Sequence, residues 1–356
     1  VFEQRRVDGP DPAGGRIRVG IVGLGRSGWN IHAAGLADRA DYAVVAVADP
    51  VPERLDEARD RFGCAAHAEP EGVFADESVD LVVIAAPSHT HVPLAIAALD
   101  ASKHVVVEKP MAETVSGVDR ITVAAKEADR LVTCFHNNRF DPTFLAIQDV
   151  VASGKLGELV LIRRSHHGFW RRSDWQTLRK FGGGQLANAG SHFLDQLLLL
   201  MDGDPVELFV DLRRTLAAGD AEDHVKLCMK GPTGPMADLE SSSSVAWAQP
   251  AWFIAGTAGG LVSTESGIDM RWCDPDQLGA WPADEGPAED RGYRGLGEID
   301  WHTESRATER PSGQRTDLFY DNLAAALRGD AELCVTLPSI RRQIDVIERA
   351  RLLSPV

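Results

Sequence analysis

Apolar positions along the chain change their rhythm near residue 135, and the change divides it in two. Before that point short β-branched runs alternate with longer segments of mixed polarity. Ile17-Arg18-Val19-Gly20-Ile21-Val22 predicts a strand, a glycine turn follows, and a helix-like segment runs to Leu36. Residues 43–48 predict a second strand that ends at Asp49. Helices are predicted at 52–62, 91–99 and 115–130, and strands at 79–86, 105–107 and 131–135. Strands alternating with helices require a parallel, doubly wound sheet. A first α/β domain is therefore expected over 16–135.

After Phe135 a helix at 143–153 and a strand at 157–165 are followed by strand-like stretches at 206–216, 223–229, 237–248 and 251–257, and a hairpin at Gly259-Gly260 leads into Leu261-Val262. Strands without intervening helices predict a large, open, mostly antiparallel sheet. This makes 136–356 a second domain of the α+β type. Between its first strand and the rest, Gly182-Gly183-Gly184 feeds a helix through Asp195 whose continuation, 197–201, is apolar. Asn188 and His192 are four apart and share one face of that helix, with Asp195 a step further round. Such a pair is either a helix-end hydrogen-bond arrangement or a reaction centre. The stretch 274–315, rich in Pro, Gly and acids and carrying Trp281 and Trp301, is read as an arm that crosses the sheet or reaches a neighbouring subunit. Helices at 317–328 and 338–353 close the chain, the last placed to pack back on the first domain. Residues 1–15 are polar and read as a tail.

With 356 residues, two cores are expected. The formal charge of −16 argues against nucleic-acid phosphates and anionic membrane surfaces as partners and suits a small neutral or cationic ligand. No run approaches the roughly 18 apolar residues of a membrane span, so a soluble, cytoplasmic protein is expected. Cys64, Cys134, Cys228, Cys273 and Cys334 are scattered and never form a C-x-x-C pair, which points to neither disulfides nor zinc.

Chemistry concentrates at the strand ends. Gly23-Leu24-Gly25-Arg26-Ser27-Gly28 lies between a strand and a helix, and Asp49 follows Gly28 by 21 residues at the end of the second strand. This is the fingerprint of a Rossmann dinucleotide-binding domain: glycines let pyrophosphate approach the backbone, and the acid takes the ribose hydroxyls. A carboxylate at Asp49 repels a 2′-phosphate, which favours NAD over NADP, while Arg26 or Arg54 can offset that repulsion. Ala86-Pro87 through His91 and Glu108-Lys109-Pro110 fall at the same carboxyl edge. His89 and His91 have no third ligand nearby, so no metal site is expected. Lys109 is either a solvated loop lysine or part of that edge. His166, Trp170, Arg172 and Trp175 precede the glycine run. Indole faces interleaved with hydrogen-bonding groups suit a pyranose, and a surface hairpin with a hydrophobic anchor has the same composition.

The glycine fingerprint, Asp49, Lys103-His104-Val105-Val106-Val107-Glu108-Lys109-Pro110, Asn137 with Arg139-Phe140-Asp141-Pro142, and Gly182 through His192-x-x-Asp195 together resemble the glucose-fructose oxidoreductase / inositol dehydrogenase (Gfo/Idh/MocA) family. The resemblance runs from about Arg16 to the final helices. It implies an NAD-dependent dehydrogenase acting on a secondary hydroxyl of a sugar, glycoside or cyclic polyol. Lys109 would orient the hydroxyl and lower its pKa, His192 would take its proton, Asn188 would position the substrate, and Asp195 would orient His192. Ala86, Pro87, His91, Glu108, Lys109 and Asn137 would line the cofactor, with Lys109 beside the nicotinamide, and His166 and Trp175 would line the substrate. The bond before Pro110 would be cis, and the open sheet would form homodimers or homotetramers. Many members carry aspartate where this chain has Asn188, and an amide cannot stabilise an imidazolium as a carboxylate does. Two further expectations stand beside this one: a keto-sugar reductase or redox-neutral enzyme with tightly held NAD, and a non-catalytic, NAD-gated sugar sensor.

Overall fold

The computed structural model describes residues 15–279, 283, 286, 298–309, 311 and 313–356. The first layer is a parallel sheet of β1 (Ile17–Val22), β2 (Tyr42–Ala48), β3 (Ala65–His67), β4 (Leu81–Ile84), β5 (His104–Val107) and β6 (Val132–Cys134), in the order β3-β2-β1-β4-β5-β6. Its connections carry α1 (Ala34–Ala37), which continues π-helical turns at Gly28–Ala33, then α2 (Pro52–Phe62), α3 (Pro70–Phe74), α4 (His91–Asp100) and α5 (Val115–Ala128). All four residues of β4 are buried, which is why this strand reads as a continuous apolar run and not an alternation. Thr114 caps α5 by accepting from the Gly117 N–H, and Asp129 ends it in the left-handed region. β3 and α3, only three and five residues long, are too short to show a period in the sequence.

The second layer opens with α6 (Pro142–Ala152), started by the Asp141 side chain and by a proline in its first turn. It continues through β7 (Leu159–His167), α7 (Ser191–Leu200), β8 (Glu207–Arg213), β9 (His224–Lys230), β10 (Met236–Ser242), β11 (Trp252–Gly256), β12 (Gly259–Ser263), β13 (Gly267–Trp272) and β14 (His302–Ala307). The eight strands are ordered β14-β13-β12-β11-β7-β10-β9-β8. Every pairing is antiparallel except β7 with β10. Within the stretch expected to be an arm, 302–307 is instead the edge strand β14, paired to β13. Trp281 and residues 1–14 of the expected tail lie outside the described residues.

The last helices, α8 (Gln314–Arg328) and α9 (Leu337–Leu353), return to the parallel sheet. Tyr320 of α8 is fully buried among Tyr42, Phe135 and His32. α9 packs on α5, on β6 and on α7, and its Glu348 accepts from the Val115 N–H. Both helices therefore touch the strand ends that carry the candidate chemistry. Among the described residues no helix is long and apolar enough to cross a membrane.

Candidate active site

Contacts, more than flexibility, explain the glycine turn after β1. Gly23 has φ +90°, and a Cβ there would lie 2.7 Å from the Ala85 carbonyl oxygen. A Cβ on Gly28 would lie 1.8 Å from the Gly23 carbonyl oxygen, so the helix can begin this close to the strand only without a side chain. Gly25 meets nothing within 4 Å. Its open backbone leaves the room a pyrophosphate needs to reach helix N-terminal N–H groups. Leu24 is buried, Ser27 half-buried, and Arg26 exposed at the tip. Asp49 is buried at the end of β2, where its Oδ2 accepts from the Leu24 N–H at 2.7 Å and its Oδ1 from the Val51 N–H at 3.0 Å. Arg54 Nη1 stands 3.2 Å from Asp49 Oδ2. The acid thus ties the turn to the second strand, and a carboxylate retains lone pairs for ribose hydroxyls. These residues fit a dinucleotide.

The neighbouring edge is formed where β4 and β5 end. His91, fully buried, lies between them with Nδ1 2.7 Å from the Pro110 carbonyl oxygen and Nε2 2.9 Å from that of Ala86. Burial draws this imidazole below its usual pKa, against the pull of both carbonyls. A neutral imidazole carries one N–H, so His91 donates to one of these carbonyls and only packs against the other, and both ring nitrogens face backbone oxygens and not a ligand. Ala86 and Pro87 remain partly accessible beside it. His89 packs instead against the Phe181 ring. Among the described residues no group of three or more His, Cys, Asp or Glu side chains is arranged to hold a metal ion.

The Lys109–Pro110 bond is cis. Glu108 is buried behind it, with Oε2 accepting from the Lys109 N–H at 3.1 Å and Oε1 3.2 Å from His32 Nε2. His32 Nδ1 in turn is 2.7 Å from the Tyr320 hydroxyl. Burial raises the Glu108 pKa, but the His32 hydrogen bond and charge, with Lys109, outweigh it and hold the carboxyl at about 2. A chain of three buried groups thus fixes an ionised Glu108 next to Lys109.

Lys109 and the glycine-led helix meet. Lys109 Nζ donates to Asn188 Oδ1 at 2.9 Å. Burial lowers the Lys109 pKa, Arg26 and Arg172 push the same way, and Glu108 opposes them. With its oxygen committed to Lys109, Asn188 presents its NH2 group as a donor. The glycine run is shaped by Glu222: Gly184 has φ +114°, and a Cβ there would lie 2.2 Å from the Glu222 carboxylate. That carboxylate accepts from the Leu186 N–H at 3.1 Å, at the start of the π-helical turns Leu186–Gly190 that lead into α7. A cavity of about 10 Å³, the room of a single water, lies among Arg172, Gln176, Gln185, Asn188, Glu222 and Ser243.

His192 follows on α7, half-buried, with its Nδ1 buried and unpartnered. Burial lowers its pKa well below the usual value, and Lys109, His136 and Arg315 lower it further. Asp195 does not orient it. That carboxylate is held by Arg139, whose Nε and Nη2 donate to it at 2.7 and 2.6 Å. Arg139 also donates to the Ser339 hydroxyl of α9. The ring beside His192 is that of His136, perpendicular and 5.4 Å away between centroids.

His136 was not singled out by the sequence reading, although it precedes Asn137 at the carboxyl end of β6, the edge where such residues gather. Asn137 itself is half-buried in a short 3-10 turn. Gln343, which holds His136, and the pair His32 and Tyr320 carry no local sequence signal. His166 lies on β7, 3.3 Å from the Ser241 hydroxyl and packed against Trp170 and Phe193. Burial takes its pKa down to about 4. Trp175 begins a single 3-10 turn and stays partly exposed.

Comparison with known proteins agrees with this geometry. Residues 17–136 match the oxidoreductase family with an NAD-binding Rossmann fold, and residues 144–262 match the GFO/IDH/MocA C-terminal domain. An uncharacterised oxidoreductase of Escherichia coli K12, YdgJ, is 29% identical over 93% of this chain and 94% of its own length. A myo-inositol 2-dehydrogenase of Thermotoga maritima is 34% identical over 41% of this chain and 44% of its own. Among solved structures, an NAD-binding protein from Listeria innocua superposes with a TM-score of 0.80 at 26% identity, covering 95% of this chain and 96% of that one. The chain belongs to the GFO/IDH/MocA family of oxidoreductases, with its NAD-binding Rossmann fold and the family's C-terminal domain.

Proposed function

We propose that this protein is an NAD-dependent dehydrogenase that oxidises a secondary hydroxyl of a sugar, glycoside or cyclic polyol. The observation that carries the reading is the meeting of Lys109 with Asn188, next to His192, at the carboxyl edge of a dinucleotide-type sheet. The similarity to an inositol 2-dehydrogenase supports the substrate class. The residues of the turn, Gly23 through Gly28, would hold the pyrophosphate, and Asp49 the ribose. The bound nicotinamide supplies the hydride acceptor.

Lys109, an ammonium of lowered pKa, donates to the hydroxyl oxygen and stabilises the charge that develops as its proton leaves. Neutral His192 accepts that proton, which its lowered pKa permits across the neutral range. The Asn188 NH2 group donates to a neighbouring substrate oxygen and sets the pose. His166 from β7 and Trp175 from the 3-10 turn that follows it would border the sugar. Phe209 and Phe253 are exposed on one row of that sheet's outer face, which supports assembly into a homodimer or homotetramer.

The reading is tested by following the NADH absorbance band with NAD or NADP over a panel of sugars, glycosides and inositols, for wild type, Lys109→Ala and His192→Ala. Turnover by the wild type alone supports it. Saturable sugar binding with no turnover on any substrate sinks it in favour of a sensor.

A further inference from the structure

Two imidazole nitrogens in this molecule lack what buried polar atoms normally have. His136 Nδ1 and His192 Nδ1 are both buried without a hydrogen-bond partner, and the two rings lie against each other. His136 is completely buried.

The proton on His136 can be assigned from its other neighbour. Gln343 of α9 donates its Nε2 to the Ser191 carbonyl oxygen at 2.5 Å, and that oxygen only accepts. The Gln343 Oε1 is therefore the atom 3.0 Å from His136 Nε2, and an amide oxygen there requires a proton on Nε2. Burial, above all, takes the His136 pKa down to about 4, so at neutral pH this ring carries one proton and its Nδ1 is a bare acceptor. His192 is neutral for the same reason and has one proton to give. A buried acceptor thus stands beside a buried nitrogen that can donate.

We propose that His136 and His192 form an imidazole pair in which the Nδ1–H of His192 is donated to Nδ1 of His136, so that Nε2 of His192 is the atom that takes the substrate proton. The bond requires the His192 ring to turn from its position here, in which the two rings stand perpendicular with no hydrogen bond between them. The pair fills the place of the carboxylate that usually orients a catalytic histidine. Asp195 cannot serve, being bound by Arg139, and position 188 holds an amide. In oxidation the C–H hydride passes to the NAD⁺ class of acceptor and the O–H proton to His192 Nε2. The resulting imidazolium keeps its Nδ1–H on His136 until the proton leaves to solvent. The charges facing this pair are Lys109 from the β5 edge, Arg315 from α8, Arg139 from the turn after β6 and Asp195 from α7.

The catalytic half of this inference rests on the proposed dehydrogenase activity, while the pairing does not. The test is nitrogen-15 NMR of the full-length protein labelled at histidine, at neutral pH and without substrate. The expected result is the Nε2–H tautomer for His136 and the Nδ1–H tautomer for His192. In His136→Phe, which keeps a ring and removes the acceptor, His192 should become a tautomer mixture, and kcat should fall by about tenfold or more with KM within about twofold. Gln343→Leu, checked for an intact melting transition, should release the His136 tautomer and lower kcat in the same direction. An Nε2–H tautomer for wild-type His192, or no change of that tautomer in His136→Phe, overturns the pair. Absence of turnover by the wild type on every polyol overturns the dehydrogenase reading and leaves the tautomer result standing.

Discussion

Lys109 Nζ and Asn188 Oδ1, 79 residues apart in the chain, lie 2.9 Å from each other. Where an aspartate at this position would form an ion pair and hold the ammonium charged, the amide lets burial lower the lysine pKa. Asn188→Asp should therefore raise the pKa of Lys109. The alkaline limb of kcat/KM against pH, where the ammonium is lost, should move up by about one unit. An unmoved limb would mean that Lys109 does not set it.

Replacing Lys109 itself should separate binding from chemistry. Nothing in the glycine turn or at Asp49 depends on its side chain. Lys109→Met should keep dinucleotide affinity, read by quenching of tryptophan fluorescence, within about threefold, and lower kcat by about a hundredfold. Loss of cofactor affinity in step with kcat would make the lysine a structural post.

The Arg139–Asp195 pair joins the turn after β6 to α7 and, through Ser339, to α9. Both side chains are almost wholly buried, so removing one leaves the other charge without compensation. Asp195→Asn is expected to cost about 3 kcal/mol or more in urea unfolding while leaving the shape of the turnover–pH profile unchanged. A profile that shifts with no loss of stability would return Asp195 to a role on His192.

How much of this was legible depends on range. The strand–turn–helix around Gly23 and the glycine-led helix that carries Asn188 and His192 are local patterns, and both appear in the structure. Asn188, however, sits in π-helical turns that precede α7, and only His192 lies on the α-helix itself. The partner of Asp195 was misread because helical spacing shows which residues share a face but not what packs against that face. Arg139 arrives from another element, 56 residues away. Tyr320 and Gln343 reach the site from 288 and 207 residues away respectively, and nothing in the amphipathic pattern of α8 or α9 marks them apart from other core positions. The strand β14 hid in a polar stretch because it is an edge strand whose residues are mostly exposed, so it lacks the apolar alternation that betrays a strand.

Glu108 gives a pH signature. Its carboxyl, held at about 2 in the fold against an ordinary 4.5, contributes stability above the unfolded value, and this is lost as pH falls through that window. Wild type should therefore lose urea resistance between about pH 4.5 and pH 2 more steeply than Glu108→Gln, which has no proton to take up. Tyr320→Phe, which strips the hydroxyl from His32, should lower stability at neutral pH. Parallel pH curves for wild type and Glu108→Gln would show that the carboxyl is not ionised in the fold.

Cofactor choice is expected to turn on Arg54. Asp49 ends β2 against the glycine turn, and a bare carboxylate at that position of the fingerprint would repel a 2′-phosphate. Arg54 Nη1, within 3.3 Å of both carboxylate oxygens, offsets that charge from a half-exposed position. Its guanidinium is also accessible enough to turn toward a phosphate. Arg54→Ala should therefore weaken NADP binding about tenfold relative to NAD in calorimetric titrations, because the uncompensated Asp49 remains. Asp49→Ser with Arg54 retained should move the ratio the other way, and should also loosen the turn, since the Leu24 N–H loses its acceptor. Equal NAD to NADP ratios in wild type and Arg54→Ala would show that the arginine serves only to hold Asp49, and would leave the carboxylate alone as the determinant.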